Sequence, residues 1–175
     1  MTAAPEHPLR LRALAPQDEA AARCAHDVMA REGFEFLLGP DQDGDWSDYL
    51  RRMEDHRAGV RLPDGWVPDT FLVAEVGGVI VGRVSVRHWL TPALAEVGGH
   101  IGYGVLPEHR RRGYATAMLR QALGVARAVG VRDALVTCDD DNVGSIRTIE
   151  RCGGVLQDVV RGEGRATRRY RVPTG

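Results

Sequence analysis

The sequence predicts an α/β (α+β) fold, a mixed sheet with helices on both faces, and three features carry that prediction. Segments with helical apolar spacing and segments with strand alternation follow one another as strand, two helices, three strands, helix, strand, helix, two strands. The dipeptide Gly77-Gly78 joins two strand-like runs, as a tight antiparallel hairpin requires. Gly102 and Gly104 interrupt a further strand, which marks a bulge or a close approach by another backbone or a ligand.

Taken in order, Leu9 to Leu14 alternates apolar residues with Arg and reads as a strand ending before Pro16. Pro16 opens a helix over Gln17 to about Glu32, with Ala21, Ala25, Val28 and Met29 at helical spacing and Gly33 as its stop. Gly39 to Asp45 is a loop, and Trp46, Tyr49, Leu50 and Met53 mark a second helix that Ser47 could cap. Gly59 to Asp69 is again a loop, whose Trp66 covers either a core edge or a ligand. Strands Phe71–Val76 and Val79–Arg87 flank the Gly77-Gly78 turn, and Thr91 to Gly99 connects them to His100–Leu106. In that last strand Ile101, Tyr103 and Val105 share one side and the two glycines the other. Tyr114 to Val129 is an amphipathic helix ending at Gly130. Ala134–Cys138 is a strand, Val143–Arg151 a helix, and Val155–Val160 with Thr167–Val172 a hairpin about Gly162–Gly164.

At 175 residues the chain suits one domain. Its 43% apolar and 27% charged residues are those of an ordinary globular protein. With 23 basic against 24 acidic residues, no overall field draws it to nucleic acid or to anionic lipid. Met1 to Arg12 has no apolar signal core and no stretch reaches the roughly 18 apolar residues of a membrane span, so a cytoplasmic location is expected. Cys24, Cys138 and Cys152 fit neither a disulfide framework nor a metal knuckle and read as reduced, mostly buried thiols.

The chemistry is concentrated in the turn Arg110-Arg111-Arg112-Gly113-Tyr114-Ala115, between the glycine-interrupted strand and the long helix. The first amides of that helix have no partners in their own backbone, and the helix dipole adds roughly half a positive charge there. An anion satisfies both, with Gly113 letting the chain come close and Ala115 keeping the next turn uncrowded. The alternative is a solvated basic turn. Arg110-x-x-Gly113-x-Ala115 lacks the Lys-Ser/Thr of an ATP-binding loop, which favours a phosphorylated ligand other than magnesium-ATP. A dinucleotide loop at Gly98-Gly99-x-x-Gly102 is set aside, because no helix follows it directly.

At these residues the sequence resembles the GCN5-related N-acetyltransferase (GNAT) family, whose signature is Gln/Arg-x-x-Gly-x-Gly/Ala between a bulged strand and a helix. The resemblance runs from about Phe71 to Val160, with His100 to His109 as lead-in and Asp141-Asn142-x-x-Ser145 after the next strand. It implies a mostly antiparallel sheet of six to seven strands with a bulged central strand. It also implies a single domain over 1–175, with an acyl-CoA core at about 71–160 and acceptor-side helices at about 16–58. Acetyl-CoA would be the donor and no metal is implied. Pantetheine would pair beside Tyr103 to Leu106, including Val105 and Leu106, and amides near Arg110, Arg111, Arg112, Gly113, Tyr114, Ala115 and Thr116 would hold the diphosphate. Asn142 and Ser145 would face the pantetheine arm, or simply cap their helix.

The same resemblance implies direct attack of a primary amine, from a small molecule or a peptide, on the thioester, with an amide near Val105 polarising the carbonyl. Where relatives carry an acidic Tyr this sequence has Ile149, so water, Tyr103, Ser145 or Cys138 would take its place. His100 is either the base or a strand-end histidine; Glu75, Glu96 and Asp139 are further candidates. Asp41, Asp43, Asp45 and Asp48 form either a lure for a cationic amine or a solvated loop, and the arginines at 161, 165, 168, 169 and 171 decorate a hairpin. Nucleic acid and membrane are excluded as partners and a homodimer is left open. The competing function is an acyl-CoA sensor without turnover.

Overall fold

The computed structural model describes residues 8–39, 42–162 and 164–175; the N-terminal segment to His7, Asp41 and the centre of the Gly162–Gly164 turn lie outside them. Strand β1 (Arg10–Arg12) leads through a short 3₁₀ turn, Pro16–Asp18, into α1 (Glu19–Ala30). The turn forms because Asp18 accepts the Ala15 amide at 2.8 Å, so the α-helix starts two residues later than its apolar spacing suggests. It buries Ala22, Ala25 and Met29, whereas Ala21 is exposed. Helix α2 (Trp46–Ala58) is capped by Asp45, whose carboxylate accepts the Asp48 amide at 3.1 Å, and ends at left-handed Gly59. Ser47, expected as the cap, lies inside the helix and donates to Asp45 instead.

Strands β2 (Asp69–Val76) and β3 (Val79–Arg87) meet at Gly77-Gly78, whose φ values of 57° and 85° are the pair of left-handed residues a type I′ turn demands. Within the expected loop after β3 lies a short helix, α3 (Pro92–Glu96), started by Pro92 and capped by Thr91. Five residues are too few to leave a periodic signature. Then follow β4 (Ile101–Val105), α4 (Tyr114–Ala128), β5 (Asp133–Asp139), α5 (Val143–Arg151), β6 (Val155–Val160) and β7 (Thr167–Pro173).

The strands form two antiparallel ladders, β1-β2-β3-β4 and β5-β7-β6. They touch at one point: Gly99 bridges Val136 and the His100 amide donates to the Leu135 carbonyl at 2.7 Å. Beyond it, no ladder among the described residues joins β4 to β5, so the sheets part like a wedge. The expected bulge on the glycine-bearing strand sits one strand over. Between β2 and β3 the register slips at Val81, while β4 pairs with β3 from Ile101 to Val105 without a shift.

Strand alternation divides the interior. Val84, Val86, Ile101 and Val105 pack against Met118, Leu119 and Ala122 of α4, and on the opposite face Phe71 and Val73 pack against Met29, Tyr49 and Met53 of α1 and α2. No helix among the described residues is long and apolar enough to cross a membrane.

Arg12 ties β1 to both neighbours, donating to Asp18 at 2.6 and 2.9 Å and to Glu75 at 2.5 Å. Hydrogen bonding from Arg12, opposed by desolvation, holds both carboxylates below their usual range. A depressed carboxylate stabilises the fold above its unfolded pKa and loses that contribution as pH falls through the folded value. Arg12→Met is therefore expected to cost about 2 kcal/mol at pH 7. Urea midpoints should show this gap to the wild type closing below roughly pH 4.

Candidate functional site

The loop from β4 to α4 brings two sets of unused backbone groups together. Gly113, at φ 81° and ψ 0°, is the N-cap of α4, and no side chain caps the amides behind it. Arg111, at φ 65°, is also left-handed, so the chain around Arg112 turns its amides toward one concave side. Such a mouth binds anions through N–H groups and the helix dipole.

The three arginines do not act alike. Arg110 Nε donates to the Val105 carbonyl at 3.0 Å and its guanidinium pairs with Glu32 beyond the end of α1, which lowers the Glu32 pKa. Arg110 is thus a strut for the turn rather than a free cation. Arg112 reaches the Glu108 carbonyl at 3.1 Å, and Arg111 and Arg112 are both exposed beside the mouth.

The second set is the outer edge of β4. Arg87 N donates to the His100 carbonyl and Leu106 N to the Val81 carbonyl, which fixes the phase of the ladder. Gly102 and Gly104 therefore turn their N–H and C=O groups to β3, and Ile101, Tyr103 and Val105 turn theirs to the open side of the wedge, where the Val105 carbonyl is taken by Arg110 and its amide is not. The Val105 amide, expected to polarise a carbonyl, points into that opening. An unpaired strand edge is a template for an extended ligand.

The glycines have a different cause from the one expected. A Cβ on Gly104 would stand 2.5 Å from Cζ and 2.8 Å from Cε1 of Phe34, and one on Gly102 would meet only Arg83 Nη1 at 3.7 Å. The close approach at Gly104 is by a side chain from the α1–α2 connection.

Tyr103 extends from β4 toward α5, close to Ser145, Thr148 and Cys138. Its hydroxyl is buried and has no hydrogen-bond partner, and burial raises its pKa well above the usual phenol value. Burial also pushes the Cys138 thiol up to about 11. Asn142 caps α5 by accepting the Ser145 amide at 3.0 Å, and both residues sit at the α5 side of the wedge. Ile149 is fully buried in the core and packs on Gly154.

His100 is held rigidly. Its Nδ1 accepts the Leu135 amide at 2.9 Å, so the neutral ring carries its proton on Nε2, and burial lowers its pKa. With the lone pair of Nδ1 engaged and Nε2 protonated, the ring joins the two sheets and has no free nitrogen to act as a base. Glu75 is bound by Arg10 and Arg12, and Asp139 by Arg165. Of the acidic loop, Asp45 caps α2, Asp48 pairs with Arg51 and Asp43 is exposed, so these form a solvated surface; Asp41 lies outside the described residues. Arg168 and Arg169 of the C-terminal hairpin pair with Asp140 and Asp158. Cys24 is exposed, and Cys138 and Cys152 are half-buried, so the thiols are less enclosed than expected.

A cavity of about 200 Å³ lies on the opposite face of the β1–β4 sheet, lined by Asp69, Ser85 and Arg87 with Trp66, Leu38 and Glu35 around it. Sequence reasoning singled out Trp66, as a cover for a core edge or a ligand, and passed over the others. The signal was present in β3, where Arg83, Ser85 and Arg87 recur at period two on one face of a strand otherwise built of Val, Ile and Gly.

A sequence profile described as the acetyltransferase (GNAT) family matches residues 35–154. A protein of Yersinia pestis named acetyltransferase is 30% identical over 117 residues, which is 65% of this chain and 77% of that protein. Among solved structures, yncA of Salmonella typhimurium, determined with its cofactor acetyl-CoA, superposes with a TM-score of 0.64 at 17% identity, over 95% of this chain and 94% of that one. RimJ of Mycobacterium smegmatis in complex with CoA-disulfide gives a TM-score of 0.67 at 19% identity, over 94% and 81% of the two chains.

Proposed function

Because the chain belongs to the GNAT family and is an N-acetyltransferase, we propose that it takes acetyl-CoA as donor and a primary amine, on a small molecule or a peptide, as acceptor. The observation that carries the reading is the junction of an unpaired strand edge with an uncapped helix mouth in one continuous turn. The diphosphate of the donor sits on the amides of Gly113 to Thr116, with Arg111 and Arg112 beside it. Pantetheine lies along Ile101 to Val105 as an additional strand, between β4 and the Asn142–Ser145 end of α5.

In this arrangement the neutral amine attacks the acetyl carbon, the Val105 amide takes up charge developing on the carbonyl oxygen, and the carbon–sulfur bond breaks to release thiolate. One amine proton leaves through water. Tyr103, buried and protonated throughout the neutral range, donates a hydrogen bond to the departing sulfur in place of the aromatic acid that Ile149 replaces. Tyr103→Phe is expected to lower kcat about tenfold and to leave KM for acetyl-CoA within about a factor of two, since the lost bond forms late. Steady-state kinetics on the best amine of a panel reads both constants.

Amine-dependent release of free coenzyme A, followed with a thiol reagent, tests the reading as a whole. Tight acetyl-CoA binding with no release for any amine would indicate a sensor, the alternative that Ile149 at the usual acid position supports.

A further inference from the structure

The face of β4 that bears Gly104 is closed by a clamp that no step above uses. Beyond α1 the chain turns at Gly33, left-handed at φ 74°, and the Phe34 amide folds back to donate to the Met29 carbonyl at 3.1 Å. A single glycine thus sets the turn that brings Phe34 onto β4. Phe34 Cζ, Phe34 Cε1 and Met29 Cε stand 2.5, 2.8 and 3.0 Å from the place a Cβ of Gly104 would take, so they supply the bulk that this strand position lacks.

The ring is also held through its face. Arg83 stands across the β3–β4 ladder from Gly104, and its Cζ lies over the Phe34 ring, 4.4 Å from the centroid. The same guanidinium donates to the Glu35 carbonyl, one residue beyond Phe34, and Arg83 is only 5% exposed. Met29 is held in turn, because its sulfur accepts from Arg110 Nη2 at 3.9 Å. Phe34 is therefore fixed by the backbone before it, the carbonyl after it and the cation over its ring. It nevertheless remains only partly buried, beside the strand that borders the wedge.

The donor brings its acyl group to this spot. With sulfur beside Tyr103 on one face of β4 and the carbonyl oxygen on the Val105 amide at the strand edge, the third substituent of the planar carbon points to the other face, that of Gly104. In an acetyl group that substituent is a methyl.

Resting on the acetyl-transfer reading, we infer that Phe34, held by Arg83, is the residue that sets the length of the acyl group, admitting acetyl and rejecting longer chains. Carbon atoms in contact stand about 3.5–4.0 Å apart, so the methyl meets the ring and each further methylene must displace it. Gly33, Met29 and Arg83 oppose that displacement, and close-packed neighbours yield little.

The test compares acetyl-, propionyl- and butyryl-CoA by thiol release with the best amine of the panel. In the wild type kcat/KM is expected to fall about tenfold for propionyl-CoA and about 100-fold for butyryl-CoA. Phe34→Ala should bring the acetyl-to-butyryl ratio below about tenfold, with coenzyme A titration as the check that the variant folds. Phe34→Leu, which keeps an apolar side chain over Gly104, should give an intermediate ratio and carries the test if the alanine variant does not fold. Wild-type turnover of butyryl-CoA within about threefold of acetyl-CoA, or the wild-type ratio persisting in a folded variant, overturns the assignment of Phe34 while acetyl transfer stands. If acetyl-CoA binds and no amine is turned over, the transfer reading fails on its own, and titration decides the role of Phe34. Butyryl-CoA binding at least about tenfold more weakly than acetyl-CoA, with the gap narrowed in Phe34→Leu, supports it. Equal affinities in the wild type, or a gap that the variant leaves unchanged, overturn it.

Discussion

Gly113→Val is expected to weaken coenzyme A binding by about 100-fold, the equivalent of two charge-assisted hydrogen bonds at about 1.5 kcal/mol each. At φ 81° the residue is left-handed, where a β-branched side chain is strained by roughly 1–2 kcal/mol. A Cβ built there meets no protein atom within 4 Å, so it projects into open space at the mouth of α4. The fold should therefore survive, with circular dichroism unchanged and a melting temperature a few degrees lower. The ligand should not, because the strain rotates the Gly113–Tyr114 peptide and the branches occupy the diphosphate position. Calorimetric titration of coenzyme A measures the loss. Affinity within about threefold of the wild type would place the diphosphate elsewhere.

Gly99→Ala should cost about 3 kcal/mol of stability, combining overpacking with a left-handed backbone. Here the constraint is protein, not ligand: a Cβ would lie 2.4 Å from the Leu135 carbonyl oxygen and 3.0 Å from its carbon, at φ 62°. Neither atom can yield without moving β5. The same point carries the His100–Leu135 bonds and the Arg87 contacts to Gly98 and Gly99, so the substitution strikes the only bridge between the ladders in the described chain. Urea unfolding measures the change, and an unaltered midpoint would contradict the junction.

Much of this was legible in the sequence because it depends on local rules. The type I′ turn at Gly77-Gly78, the amphipathic stripe of α4 and the uncapped start at Gly113 follow from residues adjacent in the chain. What depends on distant partners was not legible. Gly104 looked like a ligand contact, and only the packing of Phe34, seventy residues upstream in sequence order, shows why no side chain fits there. His100 had the pKa of a base on paper, but the Leu135 amide holds its Nδ1. Arg110 looked like one of three anion ligands until Glu32 was found against it. The buried polar face of Asp69, Ser85, Arg83 and Arg87 escaped notice for the same reason: each residue reads alone as a strand position, and their convergence is a product of strand register.

The most direct test of the central claim, that peptide amides at the mouth of α4 grip the donor's diphosphate beside an open strand, is a thermodynamic cycle. Acetyl-CoA and S-acetylpantetheine, which lacks the diphosphate, are titrated against the wild type and Gly113→Val. The wild type should bind acetyl-CoA at least about 100-fold more tightly than S-acetylpantetheine, and the variant should lose most of that ratio while keeping its affinity for S-acetylpantetheine within about threefold. Equal loss of both ligands in the variant, or equal affinity of both in the wild type, would contradict it.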